Sequence, residues 1–547
     1  MADERRVRDE SQVHPSTGVL PGAHLKHLDP ALGEEIEQKS PGERAPAFDA
    51  RTIRVRWAGF AIGLVLALVI YFVMPADVAH EAKVTAAIAV LMGAWWMTEA
   101  LPIPVTALVP LVAFPTLSGV EINAVGASYG NNIIFLFMGG FMLALAMQRW
   151  NLHRRIALIT VRAMGTNPAM VVAGFMIATG FLSMWVSNTA TAVMMLPIGV
   201  SVLLLVAGLG GDGAPTPAET ADPESSEVKE AIIESNFGTA LMLGIAYAAS
   251  IGSLATIIGT PPNTLLAGYL ADTHGIQIGF GQWMIVGLPL AVVYLIICWF
   301  LLTKVLFKPE ISEIPGGRQL MDDEIGKLGP LSQGELRVAI IFVLAAVSWV
   351  TVPLIWPENT PISDAGIAMT AALLLCVIPA GANKGVRLLN WGTAEKLPWG
   401  VLLLFGGGLA LSAQFGSSGL TEWIGQATAG IGGLPTVLVV AILCTGILFL
   451  TELTSNTATA ATFLPVAGGV AIGIGVDPML LAIPVALAAT CAFMLPVATP
   501  PNAIAFGSGY VTIGQMIRGG LWLNLIGIVL ITGTTMTLAV WTFSIVY

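Results

Sequence analysis

The sequence predicts an all-α polytopic membrane protein, an inverted repeat with 11 transmembrane helices and two re-entrant hairpins. Three observations predict it. The chain of 547 residues is 55% hydrophobic and 11% charged, with a mean hydropathy of +0.81, whereas soluble globular proteins carry about 25% charged residues. Apolar runs such as 58–72 and 523–545 approach the roughly 20 residues that cross a bilayer. The hexapeptide Ser-Asn-Thr-Ala-Thr-Ala occurs twice, at 187–192 and 455–460, as internal duplication would leave it.

The duplication extends beyond the hexapeptide. Each copy is followed at the same distance by Leu-Pro (Leu196-Pro197 and Leu464-Pro465) and preceded by a Gly-Gly pair (Gly139-Gly140 and Gly407-Gly408). A second motif, Thr-Pro-Pro-Asn, stands at 260–263 and again at 499–502. Small polar side chains beside helix breakers, at matching places in two hydrophobic halves, point to a transporter site at a repeat interface.

Taken in order, residues 1–50 are polar and lack the apolar segment of a signal peptide, so they read as a disordered cytoplasmic tail. Spans follow at about 56–75, 81–99, 102–118 and 132–149. The stretch 167–206 carries Ser-Asn-Thr near its middle and reads as a hairpin that enters and leaves on one side; 208–236 is a hydrophilic cytoplasmic insert. Next come 238–270, broken at Thr-Pro-Pro, then 283–307, 336–355, 363–381 and 398–415. The cytoplasmic loop at 308–335 reads as solvated, with an interfacial helix as the alternative. The second hairpin covers 434–475, the second broken helix 478–509, and the last span 519–545.

Charge sets the flanks. With the N-terminus cytoplasmic, 23 of the 24 Lys and Arg residues fall inside, Lys83 being the exception, as the positive-inside rule requires. The C-terminus is then outside, and an odd number of crossings separates the two copies. From Asn188 to Asn263 is 75 residues and from Asn456 to Asn502 is 46; the difference, 29, is the length of the 208–236 insert.

The motifs suggest a site for anions and cations together. Asn188 and Asn456 each offer two N–H donors and a carbonyl, and Thr189 and Thr457 each add a hydroxyl. Backbone N–H groups at the start of each following half-helix add the positive end of a dipole. Four residues before each Ser of the motif stands another hydroxyl, Ser183 or Thr451, on the same helical face. Thr-Pro-Pro frees the carbonyls of Gly259 and Ala498. These are hard oxygen ligands, so each half could build one Na+ site: Ser183, Ser187, Asn188 and Gly259, then Thr451, Ser455, Asn456 and Ala498. No Lys, Arg or His occurs in 163–209, 235–273 or 397–517. A dianion held by neutral donors at low dielectric is heavily penalised, and at least two Na+ would offset it.

Other residues read more plainly. Glu452 beside the second motif reads as bonded to its own neighbouring turn, and Glu99 as interfacial. Trp57, Trp95, Trp96, Trp283 and Trp522 read as interface anchors. Cys298, Cys376, Cys444 and Cys491 lie in apolar runs without metal-ligand spacing and read as inert packing. The net charge of −10 comes mainly from ends and loops and implies no nucleic-acid partner. A Walker A pattern is absent, which argues against an ATP-driven pump, and no intramembrane His/Asp constellation suggests an enzyme.

The paired Ser-Asn-Thr motifs, the Thr-Pro-Pro-Asn pair and the run Ser-Met-Trp-Val-Ser-Asn-Thr-Ala-Thr-Ala closely resemble the divalent anion:sodium symporter family over about 55–547. The resemblance implies an inverted-repeat transporter in the cytoplasmic (inner) membrane, a homodimer, working as an elevator. Scaffold helices would occupy 51–131 and 283–397, the two repeat transport regions 132–282 and 398–515, and a C-terminal helix 516–547. It places substrate contacts on Asn188, Thr189, Asn456, Thr457, Thr499 and Pro500. It places sodium ligands on Ser183, Ser187, Asn188 and Gly259, and on Thr451, Asn456 and Ala498. The implied activity is Na+-coupled symport of a C4-dicarboxylate such as succinate, malate or fumarate. A Na+-independent exchanger, an H+-coupled carrier, or citrate or sulfate as cargo are the alternatives.

Overall fold

A helix forms wherever the sequence shows a long apolar run, and it stops where Gly, Pro or Ser-Asn-Thr interrupts that run. The computed structural model describes residues 49–209, 235–314, 317–356 and 360–547. Nearly all of the expected tail and of the 208–236 insert lies outside the described residues. Residues 1–58 and 59–547 group as separate units. In the first, Asp49 Oδ2 accepts from the N–H groups of Arg51 and Thr52 at the start of the first helix.

The first helices are α1 (Ala50–Val73), α2 (His80–Thr98), α3 (Ile103–Thr106), α4 (Val109–Leu117), α5 (Ile122–Ala127) and α6 (Asn132–Arg149). A helix absent from the sequence reading, α7 (Leu152–Ala163), leads into the first hairpin, α8 (Pro168–Ser183) and α9 (Asn188–Leu209). The first broken helix is α10 (Asn236–Ser253) and α11 (Pro261–His274), followed by α12 (Phe280–Phe300). Then come α13 (Gly317–Lys327), α14 (Gln333–Ile355), α15 (Asp364–Val377), α16 (Trp391–Ala394), α17 (Trp399–Ser417) and α18 (Leu420–Thr428). The second hairpin is α19 (Thr436–Thr451) and α20 (Asn456–Gly473); the second broken helix is α21 (Pro478–Thr490) and α22 (Pro500–Gly507). The chain closes with α23 (Ile513–Thr534) and α24 (Val540–Phe543).

Every expected span and both hairpins thus appear as helices within a few residues of the expected bounds. Six helical segments among the described residues are long and apolar enough to cross a membrane by length and composition. The hairpin arms and broken halves run 8 to 22 residues. Outward faces are apolar: Phe72, Val112, Leu354, Leu373 and Val529 are all exposed, as suits a lipid solvent.

Two expectations change. The 308–335 segment contains helix α13, so the helical alternative holds in place of the solvated loop. Ion pairs hold it to α7, Arg154 to Glu324 at 2.8 Å and Arg162 to Asp322 at 2.5 Å. Arg155 pairs with Glu335 at the start of α14 at 2.8 Å and donates to the carbonyl of Gly329 at 3.1 Å. The signal was the amphipathic spacing of charges in 317–327, too short and too polar to stand out in a search for apolar runs. Among the tryptophans, Trp57 and Trp522 are exposed as anchors should be, but Trp95, Trp96 and Trp283 are buried. Their indole N–H groups donate to the carbonyls of Phe60, Ile103 and Leu254 at 3.2, 3.1 and 3.0 Å. They brace helix ends from within, because a buried indole needs an acceptor.

The repeated Gly-Gly pairs serve close helix crossing. A Cβ on Gly139 would lie 2.7 Å from the Ala368 backbone of α15, and one on Gly407 2.3 Å from the Ala107 carbonyl.

Candidate functional site

Buried polar side chains gather around the two hairpin tips and the two helix breaks: Ser183, Ser253, Thr256, Thr260, Asn263 and Thr264 in the first half, Thr451, Glu452, Thr490, Thr499 and Asn502 in the second. Each half is built the same way. The first arm of the hairpin ends at Ser183 or Thr451, and the second begins at Asn188 or Asn456. Thr-Pro-Pro starts the second half of each broken helix rather than ending the first. Pro261 and Pro500 occupy the first helical position, where a missing N–H costs nothing. The unwound stretches therefore precede the prolines, at 254–260 and 491–499, and contain Gly259 and Ala498 as expected.

Hydrogen bonds join tip to break in both halves. Ser183 Oγ donates to the Ala249 carbonyl at 2.5 Å, and Thr451 Oγ1 to the Ala489 carbonyl at 2.9 Å. Thr451 Oγ1 also donates to Asn456 Oδ1 at 2.7 Å, which brings two oxygens of the expected second cation set together. In the first half, Ser187 Oγ accepts from the Ala190 N–H at 3.3 Å and Asn188 Oδ1 from the Thr189 N–H at 3.0 Å. Asn188, Thr189, Ser455, Asn456 and Thr457 are half-buried, Thr499 is buried and Pro500 is exposed. Thr499 Oγ1 caps α22 by accepting from the Asn502 N–H at 3.3 Å.

The two halves meet. Thr260 Oγ1 lies 3.4 Å from Thr490 Oγ1, so the first Thr-Pro-Pro abuts the end of α21. Helix α9 packs on α22 of the other repeat, and α20 packs on α11. Each hairpin thus lends its second arm to the opposite half, and the starts of four half-helices belong to one bundle.

Three residues carry more than the sequence reading gave them. Asn263 and Asn502, the last letters of the repeated tetrapeptide, hold the breaks in shape. Asn263 Nδ2 donates to the carbonyls of Thr256 (2.9 Å) and Leu254 (3.3 Å), and Asn502 Nδ2 to those of Leu495 (3.1 Å) and Ala492 (3.1 Å). Their Oδ1 atoms are buried without a partner among the described residues, and backbone left unpaired by the break would otherwise be costly. Their repetition in the motif was the available signal. The third is Glu452. It does not bond its neighbouring turn; its carboxylate spans to the second break. Oε1 accepts from the N–H of Phe493 at 2.8 Å and from Asn524 Nδ2 at 2.6 Å, and Oε2 accepts from the N–H groups of Met494 and Leu495, each at 3.1 Å. The first half has Met184 at that place, and there Thr256 Oγ1 donates to the Met184 carbonyl at 2.5 Å.

Gly259 has no room for a side chain: a Cβ would fall 2.3 Å from the Ser253 carbonyl oxygen. Gly259→Ala is expected to push its own carbonyl out of place and to cut uptake by roughly tenfold or more, a cost of about 1.4 kcal/mol or above for overpacking. Initial-rate uptake by purified protein in vesicles checks it, and a wild-type rate would remove Gly259 from the site.

The arrangement offers neutral N–H donors at two tips and oxygen ligands at two breaks, with Asn263 and Asn502 keeping the breaks open. Cys298 and Cys444 are buried within helices and Cys491 is buried at the start of the second break, all as free thiols, and no cluster of His, Cys, Asp or Glu suited to a metal occurs among the described residues.

Comparison with known proteins accords with the geometry. The family description "Sodium:sulfate symporter transmembrane region" matches residues 54–545. The chain is 41% identical over 482 residues to the "Sodium-dependent dicarboxylate transporter SdcS" of Staphylococcus saprophyticus, covering 86% of this chain and 90% of that one. It is 42% identical over 483 residues to the protein of the same name from Staphylococcus aureus, covering 87% and 90%. Among solved structures, the YdaH transporter of Alcanivorax borkumensis aligns with a TM-score of 0.51 at 14% identity over 90% of this chain and 98% of that one. MtrF of Neisseria gonorrhoeae aligns with a TM-score of 0.51 at 12% identity, covering 93% and 97%. At such identities these two speak for the fold alone.

Proposed function

This chain belongs to the sodium:sulfate symporter family of membrane transporters, and we propose that it carries C4-dicarboxylates (succinate, malate or fumarate) together with Na+ across the cytoplasmic membrane. The observation that carries the reading is the pair of neutral cradles. Both tips and both breaks lie in segments without Lys, Arg or His, so a dianion there needs cations that travel with it. Asn188, Thr189, Asn456, Thr457, Thr499 and Pro500 hold the carboxylates. Ser183, Ser187, Asn188 and Gly259 bind one Na+, and Thr451, Ser455, Asn456 and Ala498 bind another. The names of the relatives support the Na+ and the dicarboxylate.

The cycle is an elevator. The two hairpins and two broken helices travel as one body within the transport regions 132–282 and 398–515, against the scaffold helices of 51–131 and 283–397, in a homodimer with the N-terminus inside and the C-terminus outside.

Uptake of labelled succinate into proteoliposomes, with Na+ replaced by choline, tests the coupling. Uptake that collapses in choline supports symport; undiminished uptake rejects it for exchange or H+ coupling. Competition by malate, fumarate, citrate and sulfate fixes the cargo. Thr451→Ala separates the cation site from the anion site. It removes one cation ligand and its 2.9 Å bond to Ala489, so the Na+ concentration for half-maximal uptake rises about fivefold while succinate affinity at saturating Na+ changes little, as loss of a hydrogen bond of about 1 kcal/mol requires. An unchanged Na+ titration removes Thr451 from the site.

A further inference from the structure

We infer that Trp185 latches the first hairpin to α14 and so sets which end of the transport cycle the protein rests in. The inference rests on the elevator reading above. It starts from a difference between halves that are otherwise built alike.

Trp185 lies at the tip of the first hairpin, two residues before Ser187, and is 9% exposed. Its ring stacks on Phe280 at 6.1 Å and Trp349 at 6.4 Å, with interplanar angles of 19° and 13°, and meets Phe342 edge-on at 4.9 Å and 83°. Phe342 and Trp349 are seven residues apart on α14, hence on one face. The wall residues brace one another. Phe280 and Trp349 stack on each other at 4.5 Å, Trp349 Nε1 donates to the Asp364 carbonyl at 3.0 Å, and Asp364 Oδ2 accepts from the Phe280 N–H at 2.8 Å. Trp185 differs from its neighbours. Its indole N–H is buried without a partner among the described residues. Ring contact alone holds it, and leaving the cage would give that N–H access to an acceptor.

The other repeat has no such anchor. A shift of 268 residues, from Ser187 to Ser455, carries Trp185 onto Leu453, which is 69% exposed. A shift of 239, from Thr260 to Thr499, carries Ile258 onto Val497; Ile258 is 6% exposed and Val497 is 77% exposed. At these two matched positions the first half is sealed and the second is open, whereas the Asn and Thr of both tips are half-buried. Inverted repeats let two halves exchange surroundings between the two end states. The half that is sealed here is the half with the aromatic anchor, so the anchor biases the equilibrium toward this state, and its release shifts the population toward the opposite one.

The test is accessibility. Val497→Cys is made in the full chain, and a membrane-impermeant maleimide is applied to vesicles of both orientations, with the parent protein giving the background from the native cysteines. Val497→Cys is expected to label readily. Adding Trp185→Ala should slow that labelling by about fivefold or more, as loss of three ring contacts shifts the population. Phe342→Ala, on the other side of the contact, should slow it as well, and Trp185→Phe should restore much of the rate. Should the Trp185→Ala protein fail to reach the membrane, the Phe342→Ala comparison decides. Unchanged labelling in Phe342→Ala and in any folded Trp185 variant overturns the latch, as does a Val497→Cys that does not label at all. Sodium-dependent succinate uptake by the parent is measured separately: its absence defeats the functional reading, whereas labelling reports on the latch.

Discussion

Asn188→Ala and Asn456→Ala each reduce dicarboxylate uptake by roughly 100-fold or more while leaving a folded, monodisperse protein. Each asparagine opens the second arm of its hairpin, half-buried, with Oδ1 engaged by the Thr189 N–H or the Thr451 hydroxyl. The two N–H donors of each amide are the groups proposed to face the cargo. A hydrogen bond to a charged partner contributes about 1.5–3 kcal/mol, and losing two gives about 3–6 kcal/mol, which is where the factor of 100 or more comes from. The fold survives because alanine is a good helix former and because the one bond lost between helices, from Thr451 to Asn456, leaves Thr451 donating to the Ala489 carbonyl. Binding of succinate to purified protein, with the melting temperature as control, checks it. Wild-type affinity in either variant would remove that residue from the anion site.

Glu452→Leu is expected to unfold the second half of the site. The carboxylate is 3% exposed and takes the N–H groups of Phe493, Met494 and Leu495 and the amide of Asn524. Leucine keeps the volume and leaves four donors unpaired, two of them, on Phe493 and Asn524, fully buried. At about 1–3 kcal/mol for each, the loss is about 4 kcal/mol or more. Glu452→Gln keeps one acceptor oxygen but turns an NH2 toward backbone N–H groups, so it falls between wild type and leucine. Thermal melting in detergent, together with protease sensitivity near 491–499, reads the effect. An unchanged melting curve for the leucine variant would mean that these hydrogen bonds do not hold the break.

Much of the fold was legible because the bilayer allows so few backbone solutions. Apolar length marked the spans, and the twin hexapeptides marked the hairpin tips to within a residue or two. The candidate residues were chosen on a related ground: a polar turn repeated in two apolar stretches has few roles other than function. What escaped was set by contacts far along the chain. Glu452 is 41 residues from the first N–H it binds, and nothing near it in sequence announces Phe493 or Asn524. Helix α13 stayed the second choice for its segment because its partners, Arg154 and Arg162, sit on another short helix that has no long apolar run. Trp96 and Trp283 were misplaced because a tryptophan at a span end looks the same from sequence whether it meets lipid headgroups or a carbonyl inside the protein.

The exchange of arms between repeats bears on how the molecule comes into being. Helix α9 packs on α22, about three hundred residues later in synthesis, and α20 packs on α11. Half of this chain, released alone by a ribosome, would present α9 and α11 with the surfaces meant for them missing. Early segments must therefore wait in the membrane in a provisional arrangement, and the centre closes only once translation has passed Gly507.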